Sequence, residues 1–149
     1  MGSRRKAREL ALQACYAYEF SGNTPEQVIE TVILPNTDNR VTIDFAVKLF
    51  RECAQRAEHL DELIKSRSAN WEFDRIATID KLVLRAAICE FLHFEDVPPK
   101  VSIDEAIEIA KMYSTDNSGR FVNGILDAVL SDLTKKGLLK KTGRGTEDR

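Results

Sequence analysis

The sequence predicts an all-α protein, and three observations carry that prediction. Apolar residues recur every three or four positions through most of the 149 residues. The four prolines and seven glycines stand at the ends of those periodic stretches. Thr24-Pro25-Glu26-Gln27 and Ser102-Ile103-Asp104-Glu105 each place a Gln or Glu three residues after a hydroxyl residue, the pattern of a capping box. No stretch alternates as a half-buried strand would. The expectation is a helix bundle of six or seven helices.

The first helix is expected from about Arg5 to Phe20. Ala7, Leu10, Ala11, Ala14, Ala17 and Tyr18 form one apolar face, small enough for close packing. The second opens with Thr24 as N-cap and Pro25 at the first helical position, and ends before Pro35. A long third helix is expected from about Thr42 to Lys65, on Ile43, Ala46, Val47, Phe50, Ala54, Ala57, Leu60 and Ile64. Trp71 and Phe73 lead to Thr78, read as the N-cap of a helix carrying Ile79, Leu82, Val83, Ala86, Ala87 and Leu92. That helix is apolar nearly all round, so it belongs at the centre. Asp96-Val97-Pro98-Pro99 is a turn, and Ser102 caps a helix reaching about Tyr113. Ser114 to Ser118 reads as a polar loop. A last helix begins at about Gly119 or Arg120 and ends before Gly137, with Phe121, Val122, Ile125, Leu126, Val129, Leu130 and Leu133 as its apolar set. Residues 1–137 are expected as the domain and 138–149 as a basic, flexible tail.

Composition narrows the function. A hydrophobic share of 43% and a charged share of 31% are those of a globular protein. The densest apolar stretch, Ile76 to Phe94, is interrupted by Asp80, Lys81, Arg85 and Glu90, so no membrane span is expected. Cys15, Cys53 and Cys89 are odd in number, far apart and set in apolar patterns, which fits buried thiols in a reducing cytoplasm. His59 and His93 have no companion at ligand spacing, so no metal is expected. No phosphate-cradling glycine loop and no nucleophile with an adjacent base occur. Asp61/Glu62 and Asp104/Glu105 read as capping and solvated acids. The expectation is a protein without catalytic residues or cofactors.

Charge points to a polyanion. Within residues 1–20, Arg4, Arg5, Lys6 and Arg8 against Glu9 and Glu19 leave +2. Within residues 134–149, Lys135, Lys136, Lys140, Lys141, Arg144 and Arg149 against Glu147 and Asp148 leave +4. The whole chain carries −2, so the remainder carries −8. Basic ends on an acidic body suit a polyanion at the ends and a basic partner on the body. Arg5, Leu12 and Tyr16 lie on one strip of the first helix, opposite the small apolar face. Cations followed by a ring suit single-stranded RNA, whose phosphates need charge and whose unstacked bases need a flat surface.

Two long blocks sharpen this. Asn70-Trp71-Glu72-Phe73-Asp74-Arg75-Ile76-Ala77-Thr78-Ile79-Asp80-Lys81-Leu82-Val83-Leu84-Arg85-Ala86-Ala87 is the first. The second runs from Asp96 through Lys111 and resumes as Phe121-Val122-Asn123-Gly124-Ile125-Leu126-Asp127. Both, with the N-terminal Arg-Arg-Lys-Ala-Arg-Glu-Leu segment, resemble signatures of the NusB family of transcription antitermination factors. The resemblance covers nearly everything from Arg4 to Leu133. It implies an all-α fold of two packed helical halves, no catalysis and no cofactor. It implies binding of boxA RNA of ribosomal RNA operons together with NusE, a small-subunit ribosomal protein, within an RNA polymerase antitermination complex. Residue by residue, it implies RNA contacts at Arg4, Arg5, Lys6, Arg8, Tyr16, Phe121 and Asn123, with Arg120 a candidate for the adjacent phosphate. It implies NusE contacts at Asp74 and Asp80. Cys89 departs from the family's frequent aromatic, and the tail is more basic than the pattern requires. Monomer and homodimer both occur in the family. A NusB-like domain detached from an rRNA cytosine methyltransferase is the alternative reading, and a helical adaptor without RNA is a third.

Overall fold

The computed structural model describes residues 3–68 and 73–142, and these contain helices and no strand. Asn70, Trp71 and Glu72 of the first signature block, and the tail charges from Arg144 onward, lie outside the described residues. The chain divides into two compact units, residues 1–56 and 57–149.

The first unit contains α1 (Ser3–Ser21), α2 (Pro25–Val28) and α3 (Arg40–Gln55). Ala7, Leu10, Ala11 and Ala14 of α1 are buried, and α1 packs on α3. Small side chains on this face permit the close approach of the two helices. Leu12 is also buried, so the strip from Arg5 to Tyr16 is not a continuous solvent face as expected. α2 opens with the expected capping box: Thr24 Oγ1 accepts from the Gln27 amide, and Gln27 Oε1 accepts from the Thr24 amide. The chain then widens into a π-turn at Ile29–Ile33 and tightens into a 3₁₀ turn at Leu34–Asn36. Pro35 explains the change. It has no amide to donate back along the helix, and its ring crowds the preceding turn.

The third helix departs from the expectation at both ends. It begins at Arg40, because Asn39 Oδ1 accepts from the Thr42 amide at 3.0 Å. It stops at Gln55, where Arg56 leaves the helical region at φ −113° and ψ 18°. The apolar period continues through the break, and neither Pro nor Gly stands there. What changes is the packing partner: α3 lies on α1, whereas the following α4 (Ala57–Lys65) lies on helices of the second unit.

The second unit contains α4, α5 (Thr78–His93), α6 (Pro99–Tyr113) and α7 (Asp116–Lys135). α5 touches the other three and buries Leu82, Val83, Leu84, Ala87, Ile88, Cys89 and Phe91, as its all-round apolarity predicts. Its N-cap is Ala77 in extended conformation, not Thr78, which already belongs to the helix. Ser102 is likewise no cap. Pro98 holds that place, Pro99 opens α6, and Ser102 sits one turn inside. There its hydroxyl donates to Glu90 Oε1 at 2.8 Å, satisfying a carboxylate only 2% exposed. The expected loop at Ser114 to Ser118 shrinks to two residues. Thr115 Oγ1 accepts from the Ser118 amide, so α7 begins at Asp116. α7 ends as expected: Gly137 takes φ +68° and the Leu138 amide returns to the Leu133 carbonyl, a Schellman closure.

Two features bind the second unit internally. Arg85 holds Asp61 in a two-pronged ion pair at 2.6 and 2.8 Å, joining α5 to α4. Asp61 is therefore a structural anchor rather than a solvated acid. Arg85→Met would leave that largely buried carboxylate without its counter-ion, and should cost about 2–4 kcal/mol in denaturant unfolding. The double change Arg85→Met with Asp61→Leu should recover part of the loss. Beyond α7, Lys141 Nζ donates to the Glu90 and Phe94 carbonyls, both at 2.7 Å, and so caps the C-terminal end of α5. Burial there pushes the Lys141 ammonium down to about 8, opposed by Glu90, Asp96 and Glu95. At Lys141 and Thr142 the tail is thus held rather than solvated.

Candidate nucleic-acid interface

The candidate residues fall into two sets, one in each unit. In the first unit, the regular helix α1 carries Arg4, Arg5, Lys6 and Arg8 in its opening turns. Arg4 and Lys6 are exposed and Arg5 partly so. Arg8 is only 6% exposed, and its guanidinium stands 5.1 Å from the centre of the Phe45 ring. The Arg4 guanidinium lies 4.8 Å from the same ring centre. Phe45 thus holds two of the four cations by cation–π attraction. Its role was not legible in the sequence, where it sits in an ordinary apolar pattern.

Tyr16 is 46% exposed and lies one turn before the more exposed Phe20. Their ring centres are 4.8 Å apart at a tilt of 49°. Two neighbouring exposed rings form a stacking surface larger than Tyr16 alone provides.

In the second unit, Arg120 is exposed, while Phe121 and Asn123 are partly buried. The early start of α7 overturns the expectation that Phe121 lies in its first turn. Phe121 is the sixth residue of the helix, so the free amides of the helix start are not beside it. Phe121 instead forms one wall of an open pocket of about 510 Å³, shared with Arg75, Ile76, Ala77 and Asp80. The packing of α7 that brings Phe121 here depends on Gly119. A Cβ at that position would stand 3.1 Å from Lys111 Cε and 3.3 Å from Ile107 Cγ2 of α6.

The two acidic candidates differ. Asp74 is exposed, but Asp80 is only 7% exposed. Asp80 Oδ2 accepts from the Ser118 hydroxyl at 3.0 Å. Asp80 Oδ1 is buried and has no hydrogen-bond partner among the described residues. The structure therefore groups Asp80 with Phe121, the RNA candidate, rather than with a solvent-facing acidic surface. Ser118 and Arg75 are members of this group that the sequence reading did not single out. Thr115-x-x-Ser118 was the available signal for Ser118, an N-cap pattern inside a run taken for loop.

Among the described residues no group of His, Cys, Asp and Glu could hold a metal ion. No helix there is long and apolar enough to cross a membrane.

Comparison with known proteins identifies the family. A protein of Salinibacter ruber, the transcription antitermination protein NusB, is 51% identical over 97% of this chain and 91% of its own length. The solved T. maritima NusB structure superposes with a TM-score of 0.79 at 36% identity, covering 87% of this chain and 91% of that one. A solved complex of antitermination factors NusB and NusE with double-stranded RNA shares the fold at a TM-score of 0.79 and 24% identity, covering 89% of this chain and 98% of that one. The sequence model of the NusB family matches residues 5–131, nearly the whole of both units. With half of all residues shared with one transcription antitermination protein along almost the full chain, the protein belongs to the NusB family.

Proposed function

We propose that this protein is an antitermination factor that binds boxA RNA of ribosomal RNA operons together with NusE and acts within the RNA polymerase antitermination complex. The observation that carries the reading is the near full-length identity to an antitermination protein. The relative's name also favours it over a domain detached from an rRNA cytosine methyltransferase. The geometry supplies the chemistry. Arg4, Arg5 and Lys6 offer charge to phosphates, the Tyr16–Phe20 pair offers a stacking surface, and the Phe121 pocket offers a recess for a base. Arg8 supports Phe45 and is assigned a positioning part. Arg120 is assigned to a phosphate and Asn123 to a base edge. Asp74 is assigned to the basic partner NusE.

The test is a titration with boxA RNA, a scrambled RNA and NusE. Preference for boxA supports the reading, equal binding of both RNAs would remove the boxA specificity, and binding of neither would reduce the protein to a helical adaptor. Arg5→Ala with Lys6→Ala should weaken both RNAs alike. Each phosphate contact removed should flatten the dependence of log affinity on log salt by about 0.7. An unchanged slope would assign the cluster to solvent.

A further inference from the structure

We propose that residues 138–142 are a stored RNA-binding arm, with Lys141 as its catch. The strap docks on the C-terminal end of α5 in the free protein and moves onto the phosphate backbone when RNA binds. The proposal rests on the RNA reading above and adds a contact to it. The place is separate from the pocket at Phe121, because Asp80 in the first turn of α5 and Phe94 beyond its last turn are about 20 Å apart along the helix.

The docked strap is held at two adjoining residues. After Gly137 turns the chain back, Lys141 Nζ donates to the Glu90 and Phe94 carbonyls, both at 2.7 Å. The Thr142 amide donates to the Glu95 carbonyl at 3.0 Å, and the Thr142 hydroxyl to the same oxygen at 3.2 Å. Little apolar burial adds to these bonds, since Leu138 is 50% exposed and Leu139 only partly buried. Ordering the strap costs conformational entropy that so few polar bonds only narrowly offset. The strap is therefore close to balance between docked and released.

What holds Lys141 is concentrated negative charge. The last carbonyls of α5 are the negative end of its dipole. Glu90, Glu95 and Asp96 add their charge around the ammonium. Single-stranded RNA presents the same chemistry in larger amount, as a row of phosphates that attracts cations. Lys141 cannot serve both, so RNA competes with α5 for it. On release Lys141 joins Lys135, Lys136 and Lys140, which are already exposed in the docked form. The strap offers no aromatic ring, and lysine is a point charge, which suits a row of phosphates better than a shaped protein surface.

The test follows the Thr142 amide by hydrogen exchange in the full chain, free and saturated with single-stranded boxA RNA, scrambled RNA or poly-glutamate. In the free protein that amide should be protected, and either RNA should remove the protection. Lys141→Met should remove it without RNA. It should also flatten the dependence of log affinity on log salt by about 0.7, the share of one phosphate contact. Lys140→Ala should flatten the slope equally but keep the protection in the free protein, and it carries the test if Lys141→Met disturbs the fold. Protection that persists in the RNA-bound protein would overturn the arm and leave the RNA reading standing, as would slopes unchanged in both variants. Release by poly-glutamate alone would assign the strap to an acidic protein and overturn the proposal. No RNA binding under any condition would overturn both.

Discussion

Asp80→Lys is expected to lower stability by about 3–5 kcal/mol, whereas Asp74→Lys should leave it within about 0.5 kcal/mol of wild type. The two aspartates are six residues apart and look alike in the sequence, yet their surroundings are opposite. Asp74 is exposed, so a lysine there keeps its water. Asp80 lies under the start of α5, bonded to Ser118 of α7. A lysine in its place puts an unpaired cation at a position only 7% exposed and takes the Asp80 acceptor from the Ser118 hydroxyl, leaving it Ser114 Oγ. It also sets positive charge in the first turn of a helix, where the dipole favours negative. Denaturant unfolding of the two single variants separates the cases. The partner surface is then tested with Asp74→Lys alone, because loss of NusE by Asp80→Lys would report unfolding. If Asp80→Lys melted like the wild type, the buried placement of this carboxylate would be wrong.

Phe121→Ala should melt close to the wild type, losing about 1–2 kcal/mol, and should weaken boxA binding by about 5- to 150-fold. A ring buried on all sides would cost more stability, about 3–5 kcal/mol. Phe121 is only partly buried and faces a pocket on one side, so part of its surface is already wet. Phe91, fully buried in α5, serves as the comparison: Phe91→Ala should show the larger loss. The decisive measurement pairs the melting temperature with RNA affinity for the folded fraction. A large fall in melting temperature with affinity retained would assign Phe121 to the core.

Helix content and most buried positions were legible because both depend on local order. Period, caps and breakers act within about one turn, so the alanine face of α1, the capping box at Thr24, the central burial of α5 and the glycine closure at Gly137 could be read directly. Where two local signals competed, the reading failed. Ser102 matched a capping box, but the prolines before it start the helix sooner and a buried Glu90 claims its hydroxyl. Ser114 to Ser118 matched a loop by polarity, but Thr115 caps a helix there, which moves Phe121 out of the first turn.

The sequence by itself determined the class of fold, the family resemblance and the basic, aromatic character of the candidate interface. The tertiary structure alone decided which charges are available. Arg4, Arg5, Lys6 and Arg8 are one cluster in the chain, yet Arg8 is buried on Phe45 and Lys6 is not. Asp74 and Asp80 are one pair in the chain, yet only one faces water. The joining of Asp80 to Phe121 spans forty-odd residues and exists because α5 and α7 pack together. A charge's worth depends on its access to water and on its neighbours, and both are set by contacts between segments distant in sequence.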